Sequence, residues 1–150
     1  MDLQLTNQLF IVGGATSGFG KAVAEGLLRE GARIIAVARS ADKLQQLQKS
    51  HPFQVEIVPG DITLPETLDA LFERIGNRRI EGALVNAGGP PALKAMETTL
   101  ADWDAAYHSV LRWKVDFTLR LIPLLAAHNY GRVVYLSLIH ISEPTRRTPI

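Results

Sequence analysis

The sequence predicts an α/β protein: a parallel sheet of about five strands, incomplete, wound by helices on both faces into three αβα layers. Three observations predict it. Short apolar runs recur along the chain, amphipathic stretches of helical period lie between them, and the first run opens into a glycine-rich loop, GGATSGFG, that leads into a helix. Such alternation calls for right-handed crossovers between parallel strands. The 150 residues can bury one core, and 47% hydrophobic against 21% charged residues excludes a disordered chain.

The elements follow in order. Residues 9–12 (LFIV) form a fully apolar run bounded by Gly13 and Gly14, as a central strand buried on both faces requires. Ala22, Val23, Leu27 and Leu28 supply the buried stripe of the first helix, and Gly31 stands where a left-handed cap ends it. Residues 33–38 (RIIAVA) give a second strand, Ser40 can cap a helix carrying Leu44 and Leu47, and Pro52 stops that helix. Residues 53–58 (FQVEIV) alternate as a third strand. Thr63 and Glu66 have capping-box spacing for a helix bearing Leu68, Leu71, Phe72 and Ile75, which Gly76 ends.

Residues 82–85 (GALV) predict a fourth strand, followed by the loop NAGGPP at 86–91. Thr99 and Asp102 open a long helical stretch from Trp103 to Leu125, in which Pro123 is expected to produce a kink. Residues 131–136 predict strand five. Trp103 and Trp113 are expected in the core or at helix contacts, and Arg78 and Arg79 as a solvated basic step.

The formal net charge of +1 implies neither a nucleic-acid nor a membrane partner. Without residues 136–150 the basic and acidic residues balance. No cysteine is present, so a disulfide frame and a thiolate metal site are both excluded. The N-terminus lacks a signal-peptide pattern and no apolar stretch reaches membrane-spanning length, so the expected location is the cytoplasm. His51, His108, His128 and His140 share no ligand spacing, and no metal site is expected. His128 falls near a helix C-terminus, where an imidazolium is electrostatically at home.

The glycines of the loop have separable duties. Gly14 can take a tight turn, Gly18 lets backbone N–H groups approach a diphosphate, and Gly20 lets the helix lie close to the sheet. Loops also collect glycine for turn geometry alone. Here the triplet follows a strand and opens a helix, the context a dinucleotide site demands.

The spacing Gly14-x-x-x-Gly18-x-Gly20, together with Asp61-Ile62-Thr63 after strand three and Asn86-Ala87-Gly88 after strand four, resembles the short-chain dehydrogenase/reductase family. The likeness runs in register over residues 5–136 and implies a doubly wound Rossmann fold. One position departs: Gly13-Gly14 stands where the family usually has Thr-Gly, which removes one hydroxyl. The resemblance implies that Gly14, Thr16, Ser17, Gly18 and Phe19 surround phosphates and ribose. It places Asp61 and Ile62 at the adenine ring, and Asn86, Ala87 and Gly88 along the nicotinamide-side ribose. Asn86 has a second reading, as a brace for the central strand.

Arg39 bears on the choice of cofactor. A carboxylate at the end of strand two would bind a ribose 2′-hydroxyl, whereas an arginine can pair with a 2′-phosphate. This chain reads AVARS, with no acid at Val37, Ala38 or Arg39, so NADPH is expected over NADH. The plain alternative is a solvated arginine.

The family moves protons with a tyrosine, a lysine four residues on, a serine past strand five and usually a helix asparagine. Lysine is needed because an unperturbed phenol is mostly protonated at neutral pH. Four residues beyond Tyr107, Tyr130 and Tyr135 stand Leu111, Val134 and Ile139; the serine position is Leu138, and the asparagine position is Val110. Ser137, one residue early on a strand end, points the wrong way. No catalytic residue is therefore assigned.

Residues 136–146 (LSLIHISEPTR) back-translate, over eleven codons, into a string resembling a transposon-end adapter used in DNA sequencing. The expectation is a truncated NAD(P)-binding domain at 1–135 and a non-native or disordered tail at 136–150. The full-length parent is expected to be an NAD(P)-dependent oxidoreductase, homo-oligomeric, interconverting a small carbonyl compound and a secondary alcohol by hydride transfer, a 3-oxoacyl compound being one candidate. The fragment itself is expected to be inactive. A non-catalytic NAD(P)-binding sensor or regulatory protein is the alternative; a methyltransferase use of the fold fits the glycine spacing less well.

Overall fold

A computed structural model of the chain describes residues 3–89, 91 and 93–136. The five apolar runs pair as parallel strands: β1 (Leu9–Gly13), β2 (Arg33–Ala38), β3 (Val55–Pro59), β4 (Gly82–Val85) and β5 (Arg132–Tyr135), in the spatial order β3-β2-β1-β4-β5. Between them run α1 (Gly18–Arg29), α2 (Ala41–Ser50), α3 (Pro65–Ile75), α4 (Leu100–Tyr107) and α5 (Trp113–Ala127).

Because successive strand residues face opposite sides, the sheet sorts its side chains into two cores. Ile11, Ile35 and Val37 pack with Leu68, Leu71 and Ile75 of α3 and with Trp113, Phe117 and Leu121 of α5. Val12, Ile34 and Ala36 pack on the other face with Ala24 and Leu28 of α1 and Leu44 of α2. Helices thus cover both faces, the doubly wound arrangement that the sequence predicts.

Local chemistry sets most boundaries. Gly31 is left-handed at φ 77°, its N–H donates to the Leu28 carbonyl at 3.1 Å, and the Ala32 N–H donates to the Leu27 carbonyl at 3.0 Å. These two bonds make a Schellman cap on α1. At α4 the Thr99 hydroxyl accepts from the Asp102 N–H at 3.3 Å, while the Asp102 carboxylate accepts from the Thr99 N–H at 2.8 Å, completing a capping box. His128 is the C-cap of α5.

Several expectations need correction. The third strand starts at Val55, because the carbonyl of His51 accepts from both Gln54 and Val55 and closes a turn that leaves Phe53 90% exposed. Thr63 does not cap α3: its N–H and hydroxyl both donate to Asp61 Oδ1, at 3.0 and 2.8 Å, and α3 begins instead with Pro65 after Leu64. Ser40 precedes α2 without a side-chain capping bond. The long helix is interrupted by a π segment at His108–Arg112, after which α5 carries Pro123. Trp113 is buried, but Trp103 is 64% exposed and donates to the Thr98 hydroxyl.

Arg78 and Arg79 are not a free basic step. Arg78 makes a two-pronged bond to Glu56 at 2.6 and 3.1 Å, and Arg79 pairs with Glu81, whose side chain is 9% exposed. Among the described residues no helix is long and apolar enough to cross a membrane. The expected tail from 137 onward lies outside the described residues; Leu136 donates its N–H to the Val85 carbonyl at 3.2 Å.

Candidate functional site

The strand order reverses direction at β1, which has β2 on one side and β4 on the other. Loops leaving these strands diverge to opposite faces, opening a crevice at their C-terminal ends where ligands of open α/β sheets bind. Here that crevice is a cavity of about 560 Å³.

The glycine loop forms its floor. Gly14 and Gly18 adopt φ of 66° and 51°, a left-handed geometry that penalises any residue with a Cβ. A Cβ on Gly14 would lie 2.8 Å from Asn86 Nδ2, and one on Gly13 would lie 2.5 Å from the Asn86 carbonyl oxygen. At Gly20 a Cβ would run into the carbonyls of Gly14 and Gly13, so only glycine lets α1 approach the loop this closely. Gly18 differs, since open space surrounds its missing Cβ and leaves its backbone accessible from the cavity.

Gly14, Thr16, Ser17, Gly18, Phe19, Arg39, Asp61, Ile62, Asn86, Ala87 and Gly88 all line the cavity; Gly20 is the sequence-predicted residue that does not, because it faces the loop carbonyls behind it. Asn86 donates from Nδ2 to the Gly13 carbonyl at 3.3 Å, tying the loop after β4 to the end of β1. The bracing reading of Asn86 is therefore present in the geometry.

Four further polar residues enter the lining that the resemblance does not assign to the site: Ser40, Lys43, Thr63 and Ser109. Ser40 and Lys43 come from the start of α2, next to Arg39. Ser109 arrives across the sheet from the π segment. A cation in a helix's first turn, as at Lys43, was a signal available in the sequence; the position of Ser109 was not.

Among the described residues no tyrosine contributes to the cavity lining. The Tyr135 hydroxyl is hydrogen-bonded to the Thr118 hydroxyl on α5, and Val110 lies exposed in the π segment. The groups whose acidity the fold shifts, Glu56, Asp102 and Arg120, also lie outside the cavity lining. What the site offers is a cradle of amides and hydroxyls with cations at one end.

Residues 8–146 match the family model for short chain dehydrogenase. The chain belongs to this family. An uncharacterized oxidoreductase of Staphylococcus haemolyticus is 26% identical over 150 residues, an alignment covering 98% of this chain and 65% of the relative. A corresponding protein of Staphylococcus aureus strain N315 is 27% identical, over 97% of this chain and 64% of its own length. Among solved structures, the short-chain dehydrogenase of Streptomyces avermitilis superposes with a TM-score of 0.80 at 28% identity, over 87% of this chain and 49% of that one. L-Sorbose reductase from Gluconobacter frateurii, solved with NADPH and L-sorbose, gives a TM-score of 0.81 at 28% identity, over 90% and 54%. The chain thus spans under two thirds of the curated relatives and about half of these dehydrogenase structures.

Proposed function

We propose that the cavity is the site of a nicotinamide adenine dinucleotide, NADPH in preference to NADH, and that residues 1–135 are the cofactor-binding part of an oxidoreductase acting on a small carbonyl compound or secondary alcohol. The observation that carries this reading is the glycine loop. Gly14 and Gly20 are packed so that a Cβ would clash, while Gly18 faces open space, which leaves a bare backbone edge where a diphosphate can approach. The NADPH complex of the structurally similar L-sorbose reductase supports the assignment.

In this reading Gly14, Thr16, Ser17, Gly18 and Phe19 receive the diphosphate and adjoining ribose, with Gly20 setting the close packing behind them. Asp61 and Ile62 border the adenine, Arg39 meets the 2′-phosphate, and Asn86, Ala87 and Gly88 line the nicotinamide end. Asp61 is held for its position by the two bonds from Thr63. The nicotinamide supplies the hydride; this chain's residues bind and orient.

Leu111, Val134 and Ile139 stand where a lysine would have to follow each tyrosine, and Leu138 and Val110 replace the serine and asparagine. The chain is therefore proposed to bind the cofactor without turning over substrate, residues 136–150 lying outside the binding domain. The same absence favours a second reading, a dinucleotide-binding sensor. Leu100, Trp103 and Tyr107 of α4, Leu111 of the π segment and Leu119 and Ile122 of α5 leave much apolar surface exposed, which supports a homo-oligomeric parent, proposed to be cytoplasmic.

Thermal-shift titration tests the binding assignment. NADPH should raise the melting temperature at lower concentration than NADH; equal responses, or a stronger one to NADH, would refute the preference. Carbonyl-dependent NADPH oxidation by the purified chain would refute its proposed inactivity. The same assay on the full-length gene product separates the enzyme from the sensor.

A further inference from the structure

We propose that Lys43 is a second recognition residue for the adenosine 2′-phosphate, forming with Arg39 a two-cation clasp completed by the Ser40 hydroxyl. The inference rests on reading the cavity as an NADPH site and extends it to residues with no motif of their own.

Lys43 is the third residue of α2, in the first turn, where the helix dipole disfavours a positive charge. The helix gives it no compensation. Its neighbours at i+3 and i+4 are Gln46 and Leu47, neither of which is anionic, and among the described residues neither Lys43 nor Arg39 has an ion-pair partner. Lys21 provides the contrast: on α1 it meets Glu25 one turn on, at 3.6 Å. An uncompensated lysine in this position is unfavourable to the free helix and becomes favourable when an anion enters beside it.

The anion's place is set by the cavity wall. Arg39, Ser40 and Lys43 all line it, and the Ser40 hydroxyl makes no capping bond to α2, so it remains available to a ligand. The nearby acids are Asp42 on α2 and Asp61 after β3. Neither is paired with Arg39 or Lys43, and Asp61 Oδ1 already accepts two bonds from Thr63. A ribose 2′-hydroxyl would want a carboxylate here. A phosphate dianion instead wants two cations and a hydroxyl, with the arginine fork taking two oxygens and the lysine acting as a point charge on the third. Lys43 also borders the crevice containing Thr16 and Lys21, so the competing assignment is a general one, to any phosphate near the glycine loop.

The test titrates 2′,5′-ADP and 5′-AMP into the whole chain and its Lys43→Gln, Lys43→Arg and Arg39→Gln variants, with circular dichroism and melting temperature confirming the fold of each. Lys43→Gln should weaken 2′,5′-ADP roughly tenfold, the size of one charge-assisted hydrogen bond, and 5′-AMP by less than about twofold. Lys43→Arg should retain most of the discrimination. Unchanged 2′,5′-ADP affinity in Lys43→Gln alongside a loss in Arg39→Gln would leave the NADPH reading standing and overturn the role of Lys43. Equal weakening of both ligands would assign Lys43 to phosphate in general, also overturning it. A wild-type chain that does not distinguish the ligands would refute the NADPH reading and the clasp together.

Discussion

The indole N–H of Trp113 donates to the carbonyl of Ser109 at 2.8 Å. In an α-helix that carbonyl would receive the main-chain N–H of Trp113, but here the N–H goes to His108, five residues back, as a π turn requires. The side chain therefore satisfies the acceptor that the backbone abandons. Trp113 is only 3% exposed, so its ring anchors the turn in the core while Ser109 is turned to the cavity. Replacing Trp113 with Phe keeps most of the packing and removes the donor. Urea unfolding should show a loss of about 1–2 kcal/mol, and amide exchange should accelerate at 109–113. Unchanged exchange would mean the turn does not depend on the indole.

The glycines of the loop should respond unequally to alanine. Gly18→Ala meets no neighbour and costs only the strain of a left-handed residue, about 1 kcal/mol. Gly20→Ala drives a methyl group into the Gly14 and Gly13 carbonyls and should cost about 2–3 kcal/mol. Chemical denaturation of both variants checks the order; equal losses would contradict the packing described.

Asn86 ties two loops with one donated bond. Asn86→Ala should cost about 1 kcal/mol. Asn86→Asp should cost more, because an ionised carboxylate cannot donate to the Gly13 carbonyl and is repelled by it. An aspartate variant as stable as wild type would show that the amide bond contributes nothing.

Glu56 makes the acid limb of stability testable. Its bonds to Arg78, aided by the charges of Arg78, Arg33 and Arg74 and opposed by burial, hold its carboxyl below the ordinary 4.5. Since the folded chain binds this proton less readily than the unfolded one, the contribution is fully present above about pH 4.5 and fades as pH falls through the lowered value. Glu56→Gln should cost on the order of 0.5–1 kcal/mol at pH 7, discounted for its partial exposure, and flatten the stability profile below pH 4.5. Parallel profiles for the two proteins would remove Glu56 from the account.

What the sequence made legible were features whose cause is local. The apolar runs of β1 and β2, the cap at Gly31, the box at Thr99 and Asp102 and the glycine loop all need only neighbouring residues to specify them. The sequence misleads where a competing partner decides. Residues 53–58 alternate like a strand, yet Gln54 is drawn to the carbonyls of Leu28 and Ala32, at 3.1 and 2.8 Å, and pairing begins at Val55. Thr63 has capping-box spacing but is claimed by Asp61. Ser109 reaches the cavity from a π turn, with its carbonyl bonded by the Trp113 indole, an arrangement that the helical hydrophobic period does not encode. Most of the cavity was legible; the places of Ser40, Lys43 and Ser109 in its wall depend on how α2 and the π segment are set against the loop.

The most direct measurement is calorimetric titration of NADPH into the folded 150-residue chain. Saturation at one site per chain, abolished by Gly18→Asp, is the outcome the account predicts, because a carboxylate there would occupy and repel the place of the diphosphate. A sample shown to be folded that gives no saturable heat with NADPH, or binds it equally well with aspartate at position 18, would contradict the account.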